Sequence, residues 1–387
     1  MKFILLTNMP AYQQLELARA FVDLVGDANF RLAVLGSLSA NRKEMGWVDD
    51  QEPDYVLRFD RSESDRRAAL EWIRDADVVI QGRFPIKYVK ARIKRGGLTY
   101  AYQERVWKKG FTARRFISRL PFLWKNYYSV NKSNYHLLAA GKYAASDLVP
   151  LGLFKNRAWK FGYFIESKKN APKKESSSNS SSESPHPVRI VWCGRLIALK
   201  RPQRALELLN VFTQHNVDAH LTLVGGGDLE ASLKQYACDT GLTDKVDFAG
   251  WKSVDEVNAI MANADIMLMS SDHREGWGVV INEAINNACF PMVCEDVGSA
   301  DWLISNAETG IVYNDPQFIE QASELARRWL ESPESITLQA NNGFSTLKLH
   351  WSTHAAAQRL IDHATALEKG DDPQDLFLFG PCSPAEL

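Results

Sequence analysis

Apolar residues come in short runs that alternate with amphipathic stretches along most of the chain. Lys2 to Thr7 reads as a strand and Asn8-Met9-Pro10 as a turn. Leu15 to Leu24 has helical spacing through Leu15, Leu17, Ala18, Phe21, Val22 and Leu24. Strands are predicted at Phe30 to Leu35, Tyr55 to Phe59 and Asp77 to Gly82, with a helix over Ser64 to Arg74 that turns Leu70 and Ile73 inward. The second half repeats the rhythm. Strands are predicted at Val188 to Cys193, His220 to Val224, Val246 to Phe248, Ala264 to Met269, Phe290 to Cys294 and Gly310 to Tyr313. Helices are predicted from Pro202 to about Phe212, Leu229 to about Thr240, Asp255 to Ala262, Gln317 to Leu330 and Thr353 to Leu367. Strands alternating with helices imply an α/β fold with parallel, doubly wound sheets, whose ligands bind at the carboxyl ends of the strands. Asn8, Gly36, Gln81-Gly82-Arg83 and Gln103-Glu104 fall at such ends.

A chain of 387 residues is too long for one ordinary core. The segment Lys168 to Pro187, KKNAPKKESSSNSSSESPHP, has no large apolar residue and reads as a flexible connector. The expected division is therefore a Rossmann-like domain over 1–166, a Ser/Lys-rich linker over 167–187 and a second Rossmann-like domain over 188–350. A helix over 351–369 is expected to pack back toward the first domain, followed by a tail over 370–387. Such a linker lets two halves close around a cleft.

Charge refines this picture. The formal net charge is −1, so no global field selects nucleic acid. From Arg83 to Ser146, however, there are fifteen Lys or Arg and a single acid, Glu104. Aromatics such as Trp107, Phe116, Phe122 and Trp124 are interleaved, and Ala113 to Leu120 looks amphipathic. Region 83–146 reads as an anionic-membrane surface, as a holder for an anionic acceptor such as a lipid pyrophosphate, or as a solvated face over an aromatic core. Single-stranded nucleic acid is the weakest reading. The five cysteines have no metal-ligand spacing and read as buried free thiols of a reducing compartment. The apolar start is too short for a signal peptide, and no apolar run approaches the ~20 residues that span a bilayer. A cytoplasmic protein is expected, with the inner face of the plasma membrane as a peripheral location.

The chemistry concentrates in Ser270 to Ile285. A buried strand runs into a turn bracketed by Gly276 and Gly278, and a helix starts near Gly278. Glu275 and Glu283 are separated by seven residues. An uncapped helix start suits a phosphate. If the helix were continuous, the two carboxylates would stand ~12 Å apart along its axis. Arg195 and Lys200, on one loop after a strand, are natural partners for a diphosphate, or else form surface ion pairs. Gly225-Gly226-Gly227 lacks GxGxxG spacing and reads as a flat turn that a nucleotide could approach.

Together these motifs resemble the retaining glycosyltransferases of sequence family 4, which have the GT-B fold of two Rossmann-like domains. The resemblance is carried by Gly194-Arg195-Leu196 with Lys200, Leu223 to Gly227, Val246 to Gly250, and Glu275-Gly276-Trp277-Gly278 with Glu283. It implies that Arg195 and Lys200 bind the donor diphosphate. Glu283 would take the ribose hydroxyls, and Glu275 the hydroxyls of the transferred sugar. Gly225, Gly226, Gly276, Trp277, Gly278 and Val279 would complete the donor site. No cofactor or metal is implied, since Arg, Lys and a helix start can stabilise the leaving diphosphate. The implied partners are a sugar nucleotide, with uridine diphosphate expected, and a saccharide or lipid-linked acceptor in cell-envelope or exopolysaccharide synthesis.

The first half departs from the family pattern. Asn8-Met9-Pro10-Ala11-Tyr12 replaces a Gly-rich loop, and Gln81-Gly82-Arg83 and Tyr102-Gln103-Glu104 stand where a His is common. Glu104 is the candidate catalytic contact with donor sugar or acceptor beside Glu275; the alternative pairs it with Arg105 or Lys108. His136 sits in an apolar context and reads as structural, and His273 adjoins the motif without belonging to it. The expected activity is that of a hexosyltransferase. A nucleotide-sugar epimerase of the same fold and a non-catalytic carbohydrate- or membrane-binding scaffold are the alternatives.

Overall fold

A computed structural model describes residues 1–37, 53–108, 110–172, 187–305 and 308–385. They form two compact units, one gathering the chain up to 166 with the part from 350 onward, the other running from 167 to 349. Of the expected linker, residues 173–186 lie outside the described residues.

The first unit is a parallel sheet of β1 (Phe3–Thr7), β2 (Phe30–Val34), β3 (Val56–Arg58), β4 (Val78–Gln81), β5 (Thr99–Gln103), β6 (Tyr135–Ala140) and β7 (Ala158–Phe161). Its order is β3-β2-β1-β4-β5-β6-β7, so the winding reverses between β1 and β4. The second unit holds β8 (Val188–Cys193), β9 (Ala219–Val224), β10 (Val246–Gly250), β11 (Ile266–Met269), β12 (Phe290–Cys294) and β13 (Ile311–Tyr313). Its order is β10-β9-β8-β11-β12-β13, with the reversal between β8 and β11. At such a reversal neighbouring crossovers leave to opposite faces, which opens a crevice at the carboxyl edge. β1, β6, β11 and β12 are buried throughout, as strands covered on both faces must be.

Local chemistry sets the helix ends. The Ser62 hydroxyl accepts from Asp65 N–H at 3.0 Å and starts helix Glu63–Asp75. Ser253 and Glu256 form a reciprocal capping box at helix Val254–Asn263. In Glu63–Asp75, Ala69 and Ile73 face the core while Leu70 is exposed, contrary to its expected inward position. Helix Pro333–His350 escapes a sequence reading because Asn341-Asn342-Gly343 looks like a breaker. It stays helical because Ile336, Ala340, Phe344 and Leu347 bury one stripe, and Gly343 is buried with them.

The last helix, Thr353–Lys369, belongs to the first unit, where the Tyr100 hydroxyl and His363 Nδ1 are 2.8 Å apart. Of the expected tail, residues 370–385 are described and pack on the first unit. Ala385 N–H donates to the Ala158 carbonyl at 2.9 Å and Cys382 N–H to that of Lys160 at 2.7 Å. This antiparallel segment covers the edge of β7, which would otherwise expose unpaired backbone groups. The cysteines divide: Cys289, Cys294 and Cys382 are buried, Cys193 is half-buried, and Cys238 is exposed, contrary to a uniformly buried set. No helix of the described residues is long and apolar enough to cross a membrane.

Candidate functional site

In the second unit the loops after β8 and β11 leave from either side of the winding reversal, and they are stapled together. Trp192 Nε1 donates to Ser270 Oγ at 2.9 Å, and that hydroxyl lies 2.8 and 2.9 Å from the carbonyls of Lys200 and Arg201. Asp272 N–H donates to the Leu199 carbonyl at 2.9 Å. The Lys200 ammonium is thereby held against Glu275, and the two form an ion pair with side chains 19% and 18% exposed. Glu275 sits on the loop, because Gly278 takes φ +86 and the helix begins only at Val280. The continuous-helix separation of the two carboxylates therefore does not apply. Burial and the Glu283 carboxylate push the Cys193 thiol up to about 12, against the pull of Lys200. Glu283 and Lys200 are thus both felt at the carboxyl end of β8.

The three cations of the β8 loop have different surroundings. Arg201 is committed to structure: it bonds the Ser271 carbonyl at 3.1 Å, Asp296 at 2.8 Å and Asp315 at 3.0 Å. Lys200 has Glu275. Arg195 is exposed, and its side chain has no ion-pair partner among the described residues. A cation without a carboxylate beside a second one on the same loop can meet two phosphate groups.

The glycines of this turn also meet a need within the fold itself. A Cβ on Gly225 would lie 1.9 Å from the Gly194 carbonyl oxygen, and one on Gly227 would lie 2.6 Å from that of Leu196. The closest approach at these two positions is to the chain's own backbone, whereas a Cβ on Gly226 would lie 2.9 Å from Trp251 Nε1. Leu196 N–H donates to the Gly226 carbonyl and Gly225 N–H to that of Gly250, which fixes the turn after β9 to its neighbours. Trp277 is buried, its Nε1 donating to Asn282 Oδ1 at 2.9 Å, so only its backbone is available to a ligand. Val279 precedes the helix Val280–Asn286 with no side-chain cap. Gly298 and Ser299, which sequence reasoning missed, brace this turn. Gly298 N–H donates to the Glu275 carbonyl at 3.2 Å and Ser299 Oγ to the Trp277 carbonyl at 2.6 Å. The only local signal for them was the small pair following Val297.

The first unit has a cavity of about 800 Å³ at its own reversal, reached by Thr7 and Asn8 after β1, Gln81 to Arg83 after β4, and Gln103 and Glu104 after β5. Among the described residues Glu104 is the single carboxylate on this wall. Its Oε2 takes Lys108 Nζ at 2.6 Å and its Oε1 the Tyr163 hydroxyl at 2.6 Å. Burial by itself would raise its carboxyl, but Lys108, Tyr163 and Arg83 hold it below the usual range. Pairing with Lys108 is thus what the structure contains. Arg105 goes instead to buried Asp147, which also accepts the N–H groups of Val106 and Trp107 at 2.7 and 2.8 Å and so fixes the loop beyond Glu104. Arg83, Arg115 and Arg119 also line the cavity, as does Gln14, whose buried Oε1 has no partner among the described residues. His136 is buried in the core, accepting from Trp159 Nε1 at 3.1 Å, and is not at this wall.

The sequence profile of the family described as Glycosyl transferases group 1 matches residues 173–345. The second unit is a glycosyl transferases group 1 domain. This group 1 domain carries every residue of the proposed donor set. The chain is 28% identical over 190 residues to the GDP-mannose-dependent alpha-(1-6)-phosphatidylinositol monomannoside mannosyltransferase of Mycobacterium tuberculosis, covering 47% of this chain and 48% of that protein. It is 34% identical over 129 residues to the amylovoran biosynthesis glycosyltransferase AmsK of Erwinia amylovora, covering 32% and 31%. The chain spans about half the length of the curated relatives it matches. In fold it is similar to HepE of Anabaena, solved in complex with UDP, with a TM-score of 0.67 at 13% identity, covering 95% of this chain and 100% of that one. The two Rossmann-like units are those of the GT-B fold.

Proposed function

We propose that this chain is a retaining glycosyltransferase that moves a hexosyl group from a nucleoside diphosphate sugar to a saccharide or lipid-linked acceptor. The reading rests on the pairing of Lys200 with Glu275 at the winding reversal of a group 1 domain, with Arg195 on the same loop as Lys200 and Glu283 on the helix Val280–Asn286. As the anomeric C–O bond breaks, negative charge develops on the leaving diphosphate. Lys200, Arg195 and the backbone N–H groups around Val279 meet that charge without moving, which is where electrostatic catalysis gains most. Glu283 accepts hydrogen bonds from the ribose and Glu275 from hydroxyls of the transferred sugar. The departing phosphate oxygen takes the proton of the attacking hydroxyl on the same face, so the anomeric configuration is kept. Glu104 contacts the acceptor in the first unit.

UDP is the nucleotide expected from the resemblance, and the solved HepE complexes carry it, whereas the mycobacterial relatives are named for GDP-mannose. An acceptor in exopolysaccharide or envelope synthesis accords with the names of AmsK and the mannosyltransferases. Melting the protein against a panel of sugar nucleotides identifies the donor, because a ligand of the native state raises the transition. The anomeric configuration of the transferred sugar then tests the mechanism. Retention is expected. An inverted product, or an isomerised sugar nucleotide formed without any acceptor, overturns the reading.

A further inference from the structure

Three arginines line the cavity of the first unit from two separate elements. Arg83 stands on the loop after β4, and Arg115 and Arg119 on helix Ala113–Asn126. On that helix Arg115, Ser118, Arg119, Phe122 and Asn126 recur at i, i+3, i+4, i+7 and i+11, which puts them on one face. The two helical arginines are therefore about 6 Å apart along its axis. Arg115 donates to the Gly110 carbonyl at 3.2 Å, and Arg119 lies 5.8 Å from the centre of the Trp107 ring and 5.9 Å from that of Phe122. Neither Arg83 nor Arg119 has an ion-pair partner among the described residues. The other two cations of the wall are neutralised: Lys108 pairs with Glu104 at 2.6 Å and Arg105 with Asp147 at 3.4 Å. Glu104 is thus already occupied, and the cavity keeps an excess of positive charge.

We propose that this cavity binds a phosphate ester held by Arg83, Arg115 and Arg119, and that the acceptor of transfer is therefore phosphorylated. Calling the ligand an acceptor rests on the glycosyltransferase reading; the anion site itself does not. A neutral saccharide leaves these guanidinium groups without a counter-charge. A sugar carboxylate brings a single charge to three guanidiniums, whereas a phosphate or diphosphate brings more, on several oxygens that match their planar forks. The buried Gln14 Oε1, without a partner among the described residues, accepts from a hydroxyl of the sugar that bears the phosphate. The phosphate belongs either to a water-soluble sugar phosphate or to a lipid-borne sugar. A second recess, of about 380 Å³, shares Pro85, Phe122 and Asn126 with the cavity and adds Ile86 and Pro121, which are apolar walls suited to the lipid-borne form.

The test is calorimetric titration of the full chain with inorganic pyrophosphate, farnesyl diphosphate and glucuronate. Arg195→Ala with Lys200→Ala removes the cations assigned to the donor diphosphate, so that binding to this background reports the first unit. Pyrophosphate or farnesyl diphosphate should bind it, glucuronate about tenfold more weakly or less, and adding Arg83→Ala with Arg119→Ala should lower the diphosphate affinity about tenfold or more. Both arginines are exposed, so an unchanged melting temperature shows that the variant folds. Tighter binding of farnesyl diphosphate than of pyrophosphate marks a lipid-borne acceptor, and equal binding a water-soluble one. UDP and GDP titrated into Arg83→Ala with Arg119→Ala, with Arg195 and Lys200 intact, should bind as they do to wild type. If neither nucleotide binds the wild type while diphosphate binding still depends on Arg83 and Arg119, the glycosyltransferase reading fails and the anion site stands without its acceptor role. Three results overturn the inference itself: no binding of either diphosphate to the background variant, binding that Arg83→Ala with Arg119→Ala leaves unchanged, or glucuronate bound as tightly as pyrophosphate.

Discussion

Lys200 and Glu275 are ion-paired across the winding reversal of the second unit, with four-fifths of each side chain out of solvent. The two residues assigned to opposite ends of the donor, diphosphate and sugar, are thus already in contact. Substituting one strands the other as a half-buried charge, so Lys200→Ala and Glu275→Ala are not equivalent. Lys200→Ala should shrink the nucleotide-induced rise in melting temperature, whereas Glu275→Ala should keep it and lose transfer. Differential scanning with the nucleotide alone, followed by a transfer assay, separates the two effects.

Gly225 is the strictest glycine of the site. At φ +120, with the Gly194 carbonyl oxygen 1.9 Å from any added Cβ, Gly225→Ala forces the β9 turn away from the β8 loop. A loss of about 3 kcal/mol is expected, lowering the transition of the second unit by roughly 6–12 °C. Gly241 has φ +69 and open space around it. Gly241→Ala should cost only about 1 kcal/mol. Equal losses in the two variants would show that backbone conformation alone, and not the close approach, sets the requirement.

Two buried histidines make the first unit sensitive to acid. Burial pushes both His136 and His363 down to about 3, with His363 and Arg157 adding to the effect on His136. Above pH ~6.5 neither the folded nor the unfolded form binds these protons, and stability is unaffected. Between pH ~6.5 and the folded values the unfolded chain takes them up alone. Stability should therefore fall with acidification, by about 1.4 kcal/mol per pH unit for each ring. Urea titrations between neutral pH and pH ~5 test this, and His363→Gln, whose amide can either donate to or accept from the Tyr100 hydroxyl, should reduce the slope by about half.

Much of this architecture was legible because its strands are apolar and its helices periodic. VRIVWC at 188–193 and FPMVC at 290–294 correspond to β8 and β12 without adjustment. β5, β6 and β7 were harder to read, since Tyr, His, Trp and Lys interrupt their apolar runs in the most basic part of the chain. At the candidate site, the spacing of Arg195, Lys200, Glu275 and Glu283 pointed to one region. It could not reveal that Lys200 and Glu275 neutralise each other, that Trp277 is buried, or that Gly225 and Gly227 serve their own backbone. Those facts depend on partners far away in sequence, such as Gly298, Ser299 and Gly194.

Glu104 is the acceptor-side residue most open to test. Burial works against its charge, yet Lys108, Tyr163 and Arg83 keep its carboxyl below the usual range, so it is ionised at neutral pH. Glu104→Gln should lower kcat/KM about ten- to hundredfold while nucleotide affinity stays at the wild-type value. A Glu whose folded-state value is depressed contributes stability above its unfolded value, and that contribution disappears as pH falls through the folded one. The same substitution should therefore flatten the stability profile below pH ~4.3. Steady-state kinetics and nucleotide binding measured side by side check the first expectation, and acid titration the second.

Calorimetric titration of UDP and GDP into the wild type, Lys200→Ala and Glu283→Ala tests the donor assignment most directly. One nucleotide should bind the wild type, and each substitution should weaken it by about tenfold or more. No binding of either nucleotide, or equal affinity in all three proteins, would contradict a diphosphate held by Lys200 and a ribose held by Glu283.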